Sequence, residues 1–338
     1  MRVGFNPNKD KELSKSDYTH QVIVPVYIPH QNDYFKDSFQ ILRFCLESLM
    51  LTSHDKTYIT VVNNGSCEEV VVYLNQLHLE QKIQEVIHTS SIGKLNAILK
   101  GVTGHQFPLV TITDADVLFL NHWQKATYEV FEAFPKTGVV STTPSSKVLK
   151  QYTQNTIVGN LFSTKLCFTN VTDENALKRF ANSIGNAHFY KDVHLKKQLT
   201  ISAKTCKAIV GAGHFVATYK STIFDKLDTR FTSFALGGTS ESLFLDKPAA
   251  DLGYWRLSTE LNYTYHMGNV VEPWMVSSLT DSEIKIDNIH DLNFLKFSKP
   301  KVTYVFLNTI IFKLLGYSSI WKLFLRYKGL TKEEANQY

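Results

Sequence analysis

Apolar and polar residues alternate between residues 20 and 145 in blocks that predict strands and helices in turn. Short β-branched runs predict five strands, at residues 22–29, 58–62, 84–88, 109–112 and 138–142. Between these runs, apolar residues recur every three or four positions, as they do on one face of a helix. This alternation predicts a doubly wound, mostly parallel sheet of the Rossmann-like α/β class, with helices on both faces.

The regular pattern ends near residue 145. Residues 145–205 are polar and aromatic and show no clear period. Residues 208–218 predict one strand with glycines in its middle, where a ligand or another backbone can approach closely. Beyond that strand we expect a loop and helix at 237–246, a short strand at 253–257 and a polar, aromatic loop at 263–269.

Two carboxylates follow the fourth predicted strand. Asp114 and Asp116 come directly after the apolar run 109–112. A buried carboxylate is costly unless it is paired or bound to a metal, and two neighbouring ones repel each other. A divalent cation would remove both problems, and ligands of open α/β sheets bind at this end of the strands. The alternative is that one aspartate caps the next helix while the other is solvated.

Composition narrows the classes of protein that fit this pattern. With 338 residues, 43% of them hydrophobic, the chain can bury the core of one large domain, or of a domain with an appendage. A formal net charge of +5 does not suggest a nucleic-acid binder, but it is compatible with an anionic substrate. The four cysteines are widely spaced without a Cys-x-x-Cys pair, which argues against a zinc knuckle or a thioredoxin-like site.

Two features bear on where the protein works. The N-terminal residues are polar and lack a signal core, and no run of about 18 apolar residues could span a bilayer. We therefore expect a cytoplasmic protein. Residues 302–328 form an amphipathic tail whose basic residues flank an apolar face. The tail either docks peripherally on the inner face of the membrane or packs on the main domain, and we favour packing.

Taken in chain order, these pieces resemble the nucleotide-sugar glycosyltransferases of the GT-A fold, and family 2 most closely. The stretches that carry the resemblance are Pro25, Val26 and Tyr27 ending the first strand, Asn63 and Asn64 at the next turn, Gly93 and Lys94 opening a helix, Asp114, Ala115 and Asp116, Gly211 to Phe215, and Glu241 ahead of Gly253 and Tyr254. The resemblance implies a GT-A domain over residues 1–280, with a nucleotide-binding half at about 20–145 and an acceptor-side half at about 146–280. A C-terminal helical extension would occupy residues 281–338.

By this resemblance, the two carboxylates belong to the metal site of the family. Asp116 should ligate a divalent ion directly, while Asp114 should lie near the ribose or the water shell of the metal. His266 is the candidate third ligand, and the alternative for it is an ordinary loop histidine. Oxygen ligands suit Mn²⁺ or Mg²⁺, and an imidazole favours Mn²⁺. Such a cation stabilises the charge of a diphosphate leaving group by several kcal/mol.

An inverting transfer also needs a base that takes the proton of the acceptor hydroxyl. Where the family carries Glu-Asp, this chain has Glu241 and Ser242. Serine cannot act as this base, so the resemblance leaves Glu241 as the first candidate and Asp246 as the second. The alternative for Glu241 is an acid at a helix N-terminus, where the helix dipole favours it.

The nucleotide-sugar site should be lined by residues of the first half of the domain: Pro25, Val26, Tyr27, Asn63, Asn64, Lys94, Asp114, Ala115 and Asp116. One of the two asparagines stands where the family usually has a base-reading aspartate, which leaves the choice between UDP and GDP open. The alternative is that both asparagines only make the turn. Lys94 either meets the diphosphate or lies on the helix surface.

The acceptor side should involve the glycine-containing stretch made of Gly211, Ala212, Gly213 and His214. The alternative for this stretch is a packed bend without a ligand. The expected partners are a UDP- or GDP-linked sugar and a saccharide or lipid-linked acceptor, and no nucleic acid.

The predicted function is inverting, metal-dependent sugar transfer in the assembly of a bacterial polysaccharide or glycoconjugate. One alternative is a nucleotidyltransferase, although residues 25–29 lack its glycine-rich basic loop. Another is a non-catalytic nucleotide- or glycan-binding relative, which Ser242 keeps open. A dinucleotide-dependent oxidoreductase is disfavoured because no Gly-x-Gly-x-x-Gly follows a strand.

Overall fold

The computed structural model describes residues 3–14, 16–280, 292, 298 and 302–338. The strands in these residues are β1 (His20–Val26), β2 (Thr57–Asn64), β3 (Glu85–Thr89), β4 (Leu109–Thr113), β5 (Val117–Phe119), β6 (Thr137–Ser141), β7 (Leu166–Asn170), β8 (Lys197–Ser202), β9 (Lys207–Val210), β10 (Val216–Lys220), β11 (Trp255–Thr259) and β12 (Thr264–His266). Ten of them form one sheet in the order β3-β2-β1-β4-β10-β6-β11-β9-β8-β7, and β5 pairs with β12 in a small second sheet.

Helices connect the strands and follow them. Those in the described residues are α1 (Ser38–Thr52), α2 (Glu68–Leu79), α3 (Lys94–Val102), α4 (Trp123–Ala133), α5 (Gln154–Gly159), α6 (Glu174–Ser183), α7 (Asp192–Lys196), α8 (Lys247–Asp251), α9 (Pro273–Thr280), α10 (Val302–Leu315), α11 (Ser318–Tyr327) and α12 (Lys332–Gln337). A π-helical turn, Ser242–Asp246, precedes α8.

The first four strands of the sheet order are parallel neighbours. All seven residues of β1 are buried, and its side chains alternate between two cores. Val22 and Val24 pack with α1 and α2 on one face, and Ile23 packs with α3 on the other. A strand covered on both faces needs such an uninterrupted apolar run. The predicted α/β class, with helices on both faces of the sheet, is confirmed.

The remainder of the sheet is mixed. β10 lies antiparallel between β4 and β6, β11 runs parallel to β6, and β9, β8 and β7 follow in antiparallel pairs. Because β10 runs against β4, the start of β10 lies beside the carboxyl end of β4. This arrangement brings the part of the chain after residue 145 against the two aspartates.

The prediction of one strand over residues 208–218 is wrong. The stretch forms β9 and β10, which occupy separate places in the sheet. The chain leaves β9 at Gly211, whose φ is +106°. A Cβ there would lie 2.9 Å from the carbonyl oxygen of Val148. Only glycine fits this bend, which places the close approach of another backbone, and not a ligand, against Gly211.

Secondary structure also occurs where the sequence pattern predicted little. Residues 263–269 were expected to form a loop, but they include β12, which pairs with β5. Residues 145–205 contain α5, α6 and α7 together with β7 and β8. Their elements are short. The helix α6 is amphipathic, but its buried residues are only Ala176, Leu177 and Ala181, too few large apolar residues to stand out in the sequence.

The C-terminal tail packs on the main domain through α11 and α12. Trp321, Phe324 and Leu325 of α11 are buried in the same core as Leu257 of β11. This packing accords with the favoured prediction for the tail, and the opposite face of the tail stays exposed. Of the helices in the described ranges, none combines the length and apolar character needed to cross a bilayer. Most of residues 281–301, which belong to the predicted helical extension, lies outside the described residues.

A buried hydrogen-bond network around His20 predicts how stability changes with pH. Nδ1 of His20 lies 2.6 Å from the Tyr128 hydroxyl, and Nε2 lies 2.7 Å from Oγ1 of Thr111. Burial, with a smaller effect of His54, lowers the pKa of His20 well below its ordinary value. At mildly acid pH, His20 therefore binds a proton in the unfolded chain but stays neutral in the folded protein. The stabilisation is complete above the unfolded pKa of ~6.5 and falls below it by about 1.4 kcal/mol per pH unit.

Urea unfolding at a series of pH values between neutrality and mild acid measures this slope. His20→Gln should make the slope of the free energy of unfolding shallower by about one proton. An equal slope in wild type and variant would contradict the assignment to His20, whatever the absolute stability of the variant.

Candidate active site

The two aspartates of the Asp-x-Asp motif lie just beyond β4. The backbone N–H of Asp114 donates to the carbonyl oxygen of Phe215 at 2.7 Å. The carbonyl oxygen of Asp116 accepts from the N–H of Met267 at 2.8 Å. The motif is thus held between the start of β10 and the end of β12. Segments that are distant in sequence therefore meet at one edge of the sheet, where α/β folds bind ligands.

Lys94 opens α3 and faces two carboxylates. Its Nζ lies 2.6 Å from Oδ1 of Asp114 and 3.9 Å from Oε1 of Glu241. Burial alone would lower the pKa of Lys94, but the charge and hydrogen bond of Asp114, with the charge of Glu241, outweigh burial and raise it. Lys94 is therefore a cation that holds Asp114 and Glu241 on the same side of the site.

A glycine fixes the start of α3. Gly93 has a φ of +92°, and a Cβ there would lie 2.9 Å from the carbonyl oxygen of Phe234. The N–H of Lys94 donates to the carbonyl oxygen of Ala235 at 2.9 Å. The segment just before Glu241 is thereby brought against the helix N-terminus, which positions Lys94 and Glu241 relative to each other.

The side chains of Asp116 and His266 lie within ion-pair distance of each other. Nε2 of His266 lies 3.4 Å from Oδ2 of Asp116. The other oxygen, Oδ1, is buried and finds no hydrogen-bond partner in the described part of the chain. Burial raises the pKa of Asp116, and the charge of Asp114 adds to this against the opposing effect of His266. A buried, unpaired carboxylate oxygen beside an imidazole is a donor set that fits Mn²⁺ or Mg²⁺.

The described residues do not form a complete metal cage by themselves. Within the ranges that the structure covers, no group of three His, Cys, Asp or Glu side chains is arranged to hold an ion. Asp116 and His266 could therefore act only as two ligands of an ion that takes its remaining ligands from a substrate and from water. An open coordination shell of this kind is typical of catalytic metal sites.

Ser183, at the end of α6, determines which nitrogen of His266 carries the proton. Its hydroxyl donates to the carbonyl oxygen of Phe180 at 2.8 Å, so the single hydroxyl proton is already used. Nδ1 of His266, 2.9 Å from the same oxygen, must then be the donor of that hydrogen bond. The lone pair of a neutral His266 consequently lies on Nε2, the atom that faces Asp116.

The two candidate bases have different surroundings. The Glu241 side chain is 15% exposed and lies near Lys94. Asp246 is only 4% exposed, and its carboxylate pairs with Arg256 at 2.5 Å and with Nδ1 of His214 at 3.1 Å. Asp246 is thus committed to a buried ion pair, whereas the one ion pair of Glu241 is the longer contact of 3.9 Å with Lys94. Removing one partner of a buried ion pair is costly, because the charge of the other partner is left buried without compensation.

A cavity of about 400 Å³ lies beside these residues. Its apolar wall includes Pro25, Val26, Tyr27 and Ala115, which the sequence resemblance assigned to the nucleotide-sugar site. Its polar lining comprises Ser38, Asn64, Ser91, Lys94, Asp114, Asp116 and Asn269. A mostly apolar pocket with a few converging polar groups is the usual form of a small-molecule site.

The two asparagines at the end of β2 have different roles. Oδ1 of Asn63 accepts from the N–H of Ser66 at 2.9 Å, and its Nδ2 donates to Nδ1 of His88 at 2.9 Å. Asn63 therefore makes the turn and is not among the cavity-lining residues. Oδ1 of Asn64 accepts from the N–H of Ile92 at 2.8 Å, and Asn64 lines the cavity. Of the two, Asn64 is the one placed to meet a ligand.

The predicted acceptor-side stretch, residues 211–214, does not belong to the lining of the cavity. Gly211 and Ala212 are held by Ser258 and Arg256, whose side chains donate to their carbonyl oxygens. His214 is partly exposed and bonded to Asp246. Burial would lower the pKa of His214, but the hydrogen bond and charge of Asp246 raise it above its ordinary value. Gly213 lies between these two environments and has open space apart from the ring of Phe215.

Sequence reasoning missed three residues that shape the site. Ser183 orients His266, Arg256 neutralises Asp246, and Tyr152 bonds to the hydroxyl of Ser242. None belongs to a recognisable motif. The buried arginine in β11 was the one visible signal, since a charge inside a strand requires a carboxylate partner.

The site thus combines an Asp-x-Asp motif at the end of a parallel strand with Lys94, which lies within ion-pair distance of both Asp114 and Glu241. These features and the α/β sheet are those of a glycosyltransferase of the GT-A class. The sequence profile described as "Glycosyl transferase family 2" matches residues 22–194, which is half of the chain. The chain belongs to glycosyl transferase family 2. A search among curated proteins gave no match.

Solved structures of glycosyltransferases resemble the chain at low identity. It is similar to S. aureus TarS (13% identity, TM-score 0.45), with 88% of this chain and 44% of that one covered. It is also similar to the mannosyltransferase PcManGT from Pyrobaculum calidifontis in complex with GDP-Man and Mn²⁺ (15% identity, TM-score 0.45, 91% and 72% covered). A third similar structure is S. aureus TarS 1–349 in complex with UDP-GlcNAc (12%, TM-score 0.44, 94% and 78% covered). The chain spans less than half of the first of these proteins.

Proposed function

We propose that the chain is a metal-dependent, inverting glycosyltransferase that moves a sugar from a nucleoside-diphosphate sugar to an acceptor hydroxyl. The observation that carries this proposal is the unpaired, buried Oδ1 of Asp116 beside His266, at the edge of the cavity that Lys94 and Asp114 also line. The cavity volume of about 400 Å³ lies within the range of small-molecule sites. Family membership supports the class of reaction.

Asp116 and His266 would hold the metal ion through one carboxylate oxygen and Nε2. When bound, Mn²⁺ or Mg²⁺ would stabilise the negative charge that develops on the leaving diphosphate. Asp114 is tied to Lys94 at 2.6 Å, so we assign it to the ribose side of the donor or to the water shell, and not to direct ligation. Lys94 adds a fixed positive charge where the diphosphate would lie.

Glu241 is the proposed base. In the transfer, the acceptor oxygen bonds to the anomeric carbon, the bond from that carbon to the diphosphate breaks, and Glu241 takes the hydroxyl proton. The cation of Lys94 lies 3.9 Å away and keeps the carboxylate on the side of the site where the diphosphate would lie. Ser242 bonds to Tyr152 and has no basic group to offer. Asp246 is already paired with Arg256 and His214.

The donor and acceptor are proposed only as chemical classes. Asn64 lines the cavity and is the proposed contact to the base of a UDP- or GDP-linked sugar. The acceptor would be a saccharide or a lipid-linked saccharide, in polysaccharide or glycoconjugate synthesis. Cytoplasmic residence stays a prediction, supported by the supply of nucleotide sugars there.

A donor panel tests the proposed reaction. The protein would be incubated with UDP- and GDP-linked sugars and a set of saccharide acceptors, with and without Mn²⁺, and the released nucleoside diphosphate measured. Release from one donor only in the presence of metal supports the proposal. NMR of the first product should then show the opposite anomeric configuration to that of the donor, and a retained configuration would contradict inversion.

A non-catalytic binding relative is the second candidate, because Ser242 stands where the family pattern has an acid. Such a protein would bind the nucleotide sugar without releasing the nucleoside diphosphate. The same panel separates the two functions when binding is measured alongside release.

Ser183→Ala should weaken the metal site without changing either ligand. Loss of the hydroxyl frees Nδ1 of His266, so the imidazole loses both its orientation and the preference for a lone pair on Nε2. Removing such a supporting partner typically lowers metal affinity by about 10- to 100-fold. A Mn²⁺ titration followed by thermal unfolding, at constant nucleotide, gives the half-saturating concentration. Ser277→Ala, an exposed serine on α9, serves as control; equal midpoints in wild type and Ser183→Ala would contradict the assignment.

A further inference from the structure

The outward faces of α10 and α11 expose an unusual number of large apolar side chains. Ten such residues lie on these helices and the turn between them: Tyr304, Phe306, Leu307, Ile310, Ile311, Leu314, Tyr317, Ile320, Leu323 and Tyr327. We call this group the tail face. Single exposed apolar residues are common on soluble proteins, but a contiguous patch usually marks an interaction surface.

The tail face is not needed to hold the helices in place. On its inner side, α10 packs Phe312 and Leu315 against the core, and Asn308 donates to Asn155 at 3.1 Å. The inner side of α11 buries Trp321 and Phe324. Each helix is therefore already anchored by one face. The apolar side chains of the other face, the tail face, are exposed and have no partner within the described residues, so their presence needs a separate explanation.

The charge of the segment indicates the partner. From residue 292 to residue 332 the sequence has no aspartate or glutamate. The same stretch carries eight basic residues: Lys296, Lys299, Lys301, Lys313, Lys322, Arg326, Lys328 and Lys332. The chain as a whole has 36 basic and 31 acidic residues, so this segment departs strongly from the average. A partner surface that is both apolar and anionic fits it best.

The basic groups lie close to the tail face and not only close in sequence. Lys313, Lys322 and Arg326 are exposed on the same two helices. Tyr304, Tyr317 and Tyr327 are also exposed there, and aromatic residues with a polar end favour the boundary between lipid and water. Basic side chains flanking an apolar helical face are the features of helices that lie in a membrane interface.

We propose that α10 and α11 bind the surface of an anionic lipid bilayer through the tail face. Phe306, Leu307 and Leu314 would enter the boundary between headgroups and acyl chains, and Lys322 and Arg326 would meet the phosphates. The helices lie on the membrane and do not cross it. The inference does not depend on the identity of the donor, and it would bring a lipid-linked acceptor to the site if the acceptor is of that kind.

Vesicle flotation of the full chain tests this inference. Vesicles of phosphatidylethanolamine with phosphatidylglycerol should carry the protein, and vesicles of phosphatidylcholine alone should bind it at least about tenfold more weakly, because the anionic headgroups attract the basic residues. Binding to the anionic vesicles should fall with added salt. Failure to float with the anionic vesicles overturns the proposal.

Two double variants separate the apolar and charged contributions. Phe306→Asp with Leu323→Asp changes side chains that are 69% and 64% exposed, so the fold should persist, and binding should fall at least about tenfold. Lys322→Gln with Arg326→Gln should weaken binding and its salt dependence. The control, Val72→Asp with Leu79→Asp, changes two residues of α2 that are 55% and 82% exposed and should bind as wild type does.

The alternative partner for the tail face is a second copy of the chain, and light scattering tests for such a dimer. A wild-type dimer that the Phe306→Asp, Leu323→Asp variant converts to a monomer would overturn the membrane assignment. Equal flotation of wild type, the Phe306→Asp, Leu323→Asp variant and the Lys322→Gln, Arg326→Gln variant would overturn it as well. Nucleotide release by the variants, measured without vesicles, should stay unchanged, so a failure here leaves the proposed transferase reaction untouched.

Discussion

Asp116→Asn should remove metal-dependent nucleotide binding and lower donor turnover by about a thousandfold or more. The substitution keeps the size of the side chain but removes the charge that faces His266 across 3.4 Å. An amide is a poor ligand for a divalent ion, and several kcal/mol of stabilisation at the leaving group correspond to about this factor in rate. Release of nucleoside diphosphate at saturating Mn²⁺ measures the loss.

The fold of this variant should be intact, because Oδ1 of Asp116 makes no hydrogen bond within the described residues. Asp251→Asn, at an exposed pair with Lys247 on α8, is the matched control and should keep full turnover. Turnover by Asp116→Asn close to that of wild type would contradict the metal-site assignment.

Glu241→Gln should lower kcat by about 10²- to 10⁴-fold while nucleotide binding is retained. The amide fills the same space near Lys94 but cannot accept the proton of the acceptor hydroxyl. Because the base acts on the acceptor, the dissociation constant for the nucleoside diphosphate should change little. Steady-state rates with a defined acceptor, combined with calorimetric binding of the nucleotide, separate the two effects.

Asp246→Asn is the informative comparison, because Asp246 was the second candidate for the base. Its carboxylate neutralises buried Arg256, so the variant should lose about 3–5 kcal/mol of stability. Any activity lost should follow the loss of folded protein. A stable Asp246→Asn with strongly reduced kcat, together with an active Glu241→Gln, would transfer the role of base to Asp246.

The parallel part of the fold could be predicted because its inner strands β1 and β4 present apolar residues on both faces. Val22 to Val24 and Leu109 to Ile112 form runs that few other structures accommodate. The break between β9 and β10 could not be predicted, since both halves of 208–218 have strand composition. What separates them is a bend at Gly211, which has a positive φ and no room for a Cβ beside Val148, and Val148 lies outside any local window of the sequence.

In the candidate site, too, local sequence patterns predicted some features, while contacts between distant residues determined the others. Asp114, Asp116, Lys94 and Glu241 could be proposed from order and spacing, and the structure brings all four together. Which asparagine faces the cavity, and which acid is already paired, depended on partners elsewhere in the chain. Asn63 is hydrogen-bonded to His88, and Asp246, in the π-helical turn, is paired with Arg256 of β11. Pairings of this kind form only on folding, so no sequence pattern contains them.

Calorimetric titration of UDP and of GDP, each with and without Mn²⁺, into the wild-type protein tests the central claim most directly. The account predicts that one of these nucleotides binds, that its binding requires the metal, and that Asp116→Asn abolishes this requirement together with the binding. Nucleotide binding of equal strength with and without Mn²⁺, or no binding of either nucleotide under both conditions, would contradict a metal-dependent transferase site at Asp116 and His266.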